Sequence, residues 1–189
     1  MSNPANDIGE LLLALARDAI GERFGHAARS VESLPRLEEH GATFVTLMHK
    51  SRLRGCIGSL EAHRPLHHDV RANAVAAAFS DPRFAPLAEE EFVVCSVEVS
   101  LLSAPELMSF TDETDALAQL RPGVDGVILF HGCRRSTFLP QVWEALPEPE
   151  RFMAQLKQKA GLRPELWDDQ IMLARYQVQK WKEGSKENL

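Results

Sequence analysis

Cysteine is scarce in this 189-residue chain: Cys56, Cys95 and Cys133 are its three thiols, and none belongs to a CxxC pair. An odd number cannot pair completely within one chain, and the spacing excludes a zinc ribbon and a thioredoxin-type redox motif. Three reduced thiols fit a cytoplasmic protein. Long apolar runs are missing too. No stretch approaches the roughly 20 residues of a membrane span. Ile8 to Ile20 is apolar on one side only, interrupted by Glu10, Arg17 and Asp18, so neither a signal peptide nor a membrane partner is expected. Basic charge is not in excess: 21 Lys and Arg stand against 27 Asp and Glu, a formal net charge of −6. That argues against broad phosphate-backbone binding, and no nucleic-acid partner is expected. No strand leads into a GxGxxG or GxxxxGKS/T loop, so no nucleotide fold is signalled.

What is present is an ordinary soluble composition, 44% hydrophobic and 25% charged, in a chain long enough for one domain with a small appended lobe. Ile8, Leu11, Leu12, Leu15, Ala19 and Ile20 recur at helical steps behind Asp7, with Gly25 as terminator. Val31–Glu39 reads as a connection or a single turn. Ala42–Lys50 and Leu53–Leu60 read as two strands, and Pro65 opens an alanine-rich helix ending near Phe79 that is slim enough to lie close to a sheet. Ser80–Pro86 is a loop stiffened by two prolines. Phe92–Leu102 alternates as a half-buried strand with Cys95 on the core face. A helix over Thr111–Leu120, a hairpin turning at Gly132-Cys133, helices from Pro140 and Glu150, and a closing strand over Ile171–Lys180 complete the chain. The interleaving predicts an α+β fold on antiparallel strands. Met1–Asn6 and Glu183–Leu189 are expected to be flexible ends.

Arg54-Gly55-Cys56-Ile57-Gly58-Ser59 packs a cation, a thiol and two glycines into six residues. The glycines let another segment or a ligand approach the backbone. Asp81-Pro82-Arg83-Phe84, Pro122-Gly123-Val124-Asp125-Gly126-Val127 and Thr137-Phe138-Leu139-Pro140-Gln141-Val142-Trp143 come after it in that order. Together, from about Leu11 to about Tyr176, these segments resemble the AMMECR domain family, known in prokaryotes as protein A of the AmmeMemoRadiSam system. The resemblance implies a single domain over residues 8–180 with two lobes, the larger an antiparallel β-sheet flanked by helices. It also implies company: a Memo-type protein similar to non-haem iron dioxygenases, and a radical S-adenosylmethionine protein. It implies no settled reaction and no cofactor.

Cys56 is the candidate nucleophile, which would need thiolate character, a base and access. On a regular strand Arg54 shares its face and could supply positive charge. The other reading is a small packed thiol. Arg54, Gly55, Gly58, Ser59 and Arg83 are the candidate ligand-binding residues, with glycine N–H groups or guanidinium groups meeting an anion. Glu98 is either solvated or paired with Arg54. His63, His67 and His68 form the one histidine cluster, but Pro65 breaks the helical spacing a metal pair needs, so no metal is expected. Asp125 reads as a turn or strand-entry residue, Thr137 and Gln141 as capping residues, and the tryptophans as packing or surface groups. Two functions fit these residues: an accessory component that binds a ligand or partner of the AmmeMemoRadiSam system, or a small enzyme using Cys56 in a cleft between lobes.

Overall fold

The computed structural model describes residues 4–29 and 34–184. In chain order its elements are α1 (Pro4–Gly21), a 3-10 turn (Glu22–Phe24), α2 (Pro35–Glu38), β1 (Ala42–His49), β2 (Arg52–Gly58), α3 (Leu66–Phe79), α4 (Glu89–Val94), β3 (Ser96–Leu102) and β4 (Glu106–Leu107). Then come α5 (Glu113–Ala118), β5 (Gly126–His131), β6 (Arg134–Phe138), a 3-10 turn (Pro140–Glu144), α6 (Pro149–Lys159), β7 (Ile171–Tyr176) and β8 (Val178–Lys182). The fold is α+β, with two antiparallel four-stranded sheets in the orders β2-β1-β3-β8 and β4-β7-β5-β6. They belong to two compact units, Met1–Leu102 with Gln179–Leu189, and Ser103–Val178.

In the first unit, strand alternation sends Val45, Leu47, Val97 and Val99 to one face, where Leu12, Ile20, Val70, Ala74 and Ala77 of α1 and α3 close the core. The other face carries Thr46, Cys56 and Glu98, which the register sets side by side across three strands. In the second unit, Val127, Leu129, Ile171 and Leu173 pack with Phe152, Met153 and Leu156 of α6. Trp143 stacks on Phe152 with ring centroids 3.7 Å apart and donates its indole N–H to the Asp125 carbonyl at 2.7 Å.

Several expected boundaries move. Phe92–Val94 is helical rather than extended, because three glutamates fill the first turn of α4 and Glu91 turns back to accept the Ala88 N–H at 3.1 Å. The expected last strand is two strands in different sheets. Gln177 divides them by exchanging bonds with Ser103, whose N–H meets the Gln177 carbonyl at 2.9 Å and whose hydroxyl accepts the Gln177 N–H at 3.0 Å. The helix expected from Pro140 is a 3-10 turn, and the two-residue β4 carried no alternation long enough to read. Of the expected flexible ends, residues 1–3 and 185–189 lie outside the described residues. Pro4–Asn6 belong to α1, and Glu183 accepts hydrogen bonds from Arg17 and from the Val97 N–H.

Candidate functional site

β2 is an edge strand with a bulge. Leu47 pairs with Gly55 and Met48 with Leu53, leaving Arg54 as the extra residue. The expected shared face of Arg54 and Cys56 presupposed regular alternation, and the bulge removes it. Gly55 lies against α3 so closely that a Cβ there would overlap the Ala77 carbonyl oxygen. At Gly58 a Cβ would overlap the Phe44 ring. Both glycines therefore serve close approach by the chain's own segments.

Cys56 sits between them with its backbone turned to the sheet edge. Its N–H donates to Asp81 Oδ2 at 2.8 Å, and its carbonyl accepts from Arg83 Nη2 at 3.1 Å. The loop after α3 thus closes the edge with two side chains. Arg83 also grips Asp81 through Nε at 2.9 Å and Nη2 at 2.6 Å. The guanidinium holds the buried Asp81 carboxyl far below the usual carboxylate range, burial opposing and the Cys56 N–H adding to the effect. In return Asp81 raises the Arg83 guanidinium, with a smaller contribution from the Cys56 side chain. The anion at the Cys56 N–H is thus the protein's own carboxylate.

Arg54 makes a two-pronged pair with Glu91 of α4, at 2.9 and 2.8 Å, and passes 5.8 Å from the Phe84 ring centre. This pairing, then the Ala88 N–H, lowers the Glu91 carboxyl to about 2. Arg54 Nη1 is buried with no hydrogen-bond partner among the described residues. The half-buried Cys56 thiol accepts from the Thr46 hydroxyl at 3.3 Å. Next in the row, Glu98 is bound not by Arg54 but by Lys180 at 2.5 Å and Lys182 at 3.2 Å. Burial pushes Glu98 up, but the two lysines outweigh it and hold the carboxyl below its ordinary value.

Ser59 belongs to a separate buried network. Asp69, fully enclosed, accepts from the Ser59 and Thr43 hydroxyls at 2.8 and 2.7 Å, from the Thr43 N–H at 2.8 Å, and from Arg64 Nε at 2.8 Å. Asn73 donates to Asp69 at 2.9 Å and to the Thr43 carbonyl at 3.0 Å. These bonds pin the first two turns of α3 to β1.

Of the four motif segments, Arg54–Ser59 and Asp81–Phe84 meet at the β2 edge, while Pro122–Val127 and Thr137–Trp143 belong to the second unit. The AMMECR1 family model matches residues 13–181. The chain belongs to the AMMECR1 family. A protein of Sulfolobus acidocaldarius is 40% identical over 169 residues, spanning 85% of this chain and 74% of its own. One from Methanothermobacter thermautotrophicus is 38% identical over 184 residues, spanning 93% and 94%. The crystal structure of an uncharacterized protein from Pyrococcus horikoshii superposes with a TM-score of 0.76 at 34% identity, covering 93% of this chain and 91% of that one.

In this AMMECR1-family chain, no three His, Cys, Asp or Glu side chains among the described residues converge as a metal site. His67 donates to the Leu37 carbonyl at 2.9 Å and lies 4.1 Å from the His68 ring centre, while His63 is exposed. Asp125 is more than a turn residue: fully buried, it pairs with Arg121 at 2.6 Å. Thr46, Asp81, Glu91 and the lysine partners of Glu98, Lys180 and Lys182, escaped the sequence reading. Asp81 alone carried a signal, since it opens the Asp-Pro-Arg-Phe segment.

Proposed function

We propose that this chain is an accessory component of the AmmeMemoRadiSam system, binding a ligand or partner at the β2 edge around Cys56 and Arg83. One observation carries the reading. Among the described residues, the carboxylates on the segments around Cys56 are already engaged by cations: Asp81 by Arg83, Glu91 by Arg54, Glu98 by Lys180 and Lys182. A nucleophilic cysteine needs a neighbouring base to take its proton or a strongly cationic setting. The hydrogen bond the thiol accepts at 3.3 Å comes from a neutral hydroxyl, that of Thr46. The half-exposed Arg83 spends Nε and Nη2 on Asp81 and the Cys56 carbonyl, which leaves Nη1 as the donor suited to an anionic group. The Memo-type and radical S-adenosylmethionine proteins are the proposed company, and the cytoplasm, where free thiols persist, the proposed compartment.

The test is co-purification of the chain with those two proteins from the same genome. Cys56→Ser keeps the complex, whereas Arg83→Glu weakens it by at least about ten-fold, with Arg83→Gln as a milder control for the loss of the Asp81 pair. A second reading, a small enzyme using Cys56, draws support from the Arg83 guanidinium next to that side chain. It requires that Cys56 alone react rapidly with an alkylating agent across pH and that Cys56→Ser lose turnover with the fold intact. That result, with an Arg83→Glu complex as tight as wild type, would reverse the assignment.

A further inference from the structure

A groove of about 550 Å³ runs along the β4 edge of the second sheet, lined by residues of Ser103–Val178 alone. Leu107, Phe110, Trp167 and Met172 supply its apolar surface, and Asp168 and Asp169 its charge. Leu107 is 74% exposed and Met172 54%. Leu107 pairs with Ala174, so it and Met172 emerge on one face of the sheet, a diagonal step apart. Clustered exposed apolar side chains rimmed by polar ones mark interaction surfaces.

The wall is built in advance. Trp167 lies 5.5 Å from Phe110 between ring centres, and Lys157 Nζ sits 5.2 Å from its ring. Lys157, 1% exposed, is anchored by Glu113 at 2.7 Å and the Pro164 carbonyl at 2.9 Å. A wall already fixed lowers the ordering cost of binding.

Charge identifies the occupant. The lining holds two carboxylates and no Lys, Arg or His. Asp168 takes His131 at 3.1 Å, Asp169 makes no ion pair among the described residues, and Glu106 beside Leu107 is largely exposed, with Arg175 at 3.9 Å. The backbone adds a third component. Met108 donates its N–H to the Leu173 carbonyl, so antiparallel alternation turns the Leu107 N–H and carbonyl to the outer edge. An edge of this kind accepts an added strand.

We infer that this edge receives an extended polypeptide segment. It sets a large apolar side chain against Leu107, Trp167 and Met172, and Lys or Arg side chains against Asp168, Asp169 and Glu106. The inference is independent of the Cys56 site.

The experiment titrates the full ¹⁵N-labelled chain with an acetylated heptapeptide alternating lysine and leucine. A glutamate–leucine peptide and a lysine–serine peptide serve as controls. The lysine–leucine peptide alone is expected to shift the amides of 107–111 and 167–172 saturably. Its affinity falls at least about five-fold between about 0.05 and 0.5 M salt. Leu107→Ser and Asp169→Lys, both at exposed positions, each weaken it about ten-fold while the rest of the spectrum stays in place. Equal binding of the glutamate peptide, shifts confined to other residues, no saturable binding, or unaltered affinity in Leu107→Ser would overturn the inference. So would self-association of the peptide-free chain that Leu107→Ser abolishes, which assigns the groove to a second copy.

Discussion

At Gly55 a single hydrogen atom decides whether α3 can lie against β2. Any side chain there meets the Ala77 carbonyl, which belongs to helix backbone and cannot rotate away. Gly55→Ala is therefore expected to cost about 1–3 kcal/mol, the usual range for overpacking, read as a lower urea midpoint with an unchanged slope. An unchanged midpoint would mean that the helix and strand are not held at this distance. The thiols separate by setting as well. Burial, with Glu91 adding, pushes the Cys95 thiol up, while Cys133 is exposed at a hairpin turn. Alkylation of the native protein should proceed in the order Cys133, Cys56, Cys95, with Cys95 silent until unfolding. Rapid native labelling of Cys95 would contradict its place in the core.

At the scale of elements, the Arg54–Glu91 ion pair ties β2 to α4, and the Asp81–Arg83 pair in the loop after α3 binds the Cys56 backbone. The Glu91 carboxyl sits at about 2 in the folded chain, against about 4.3 when unfolded. A depressed carboxyl stabilises fully above its unfolded value, and that contribution disappears as pH falls toward the folded one. Asp81 is depressed further by Arg83, so its share persists to lower pH. Wild type should thus lose stability between about pH 4.5 and 2 more steeply than Glu91→Gln, which starts lower at neutral pH. Parallel acid-denaturation curves would remove the Arg54–Glu91 pair from the account. Replacing Arg54 by methionine leaves Glu91 without its partner and should cost about 1–3 kcal/mol at pH 7.

At the scale of the whole molecule, each of the two units has its own sheet and its own apolar cluster. Phe152 is fully buried, stacked on Trp143 at 3.7 Å and T-shaped against Phe138 at 5.3 Å between centroids. Phe152→Ala should cost about 3–5 kcal/mol and raise hydrogen exchange in β5, β7 and α6. Retained protection there would show that the stack is not what holds the cluster together.

The sequence by itself determined most of the segments that alternate and most of those that are helical. Helical spacing in α1, the alanine face of α3 and the glycines around Cys56 are local patterns, each readable within a few residues. It also determined the family, since four short motifs in order carry that signal. Tertiary structure alone decided which partner each functional side chain takes. Arg54 meets Glu91 across 37 residues and Cys56 meets Asp81 across 25. A one-residue bulge was enough to separate Arg54 from Cys56, and no propensity records it. The division of the last strand had the same origin: Gln177 leaves the ladder for Ser103, 74 residues away. Local periodicity reports which face a side chain turns to the core, whereas hydrogen-bond partners depend on where distant segments arrive when that core closes.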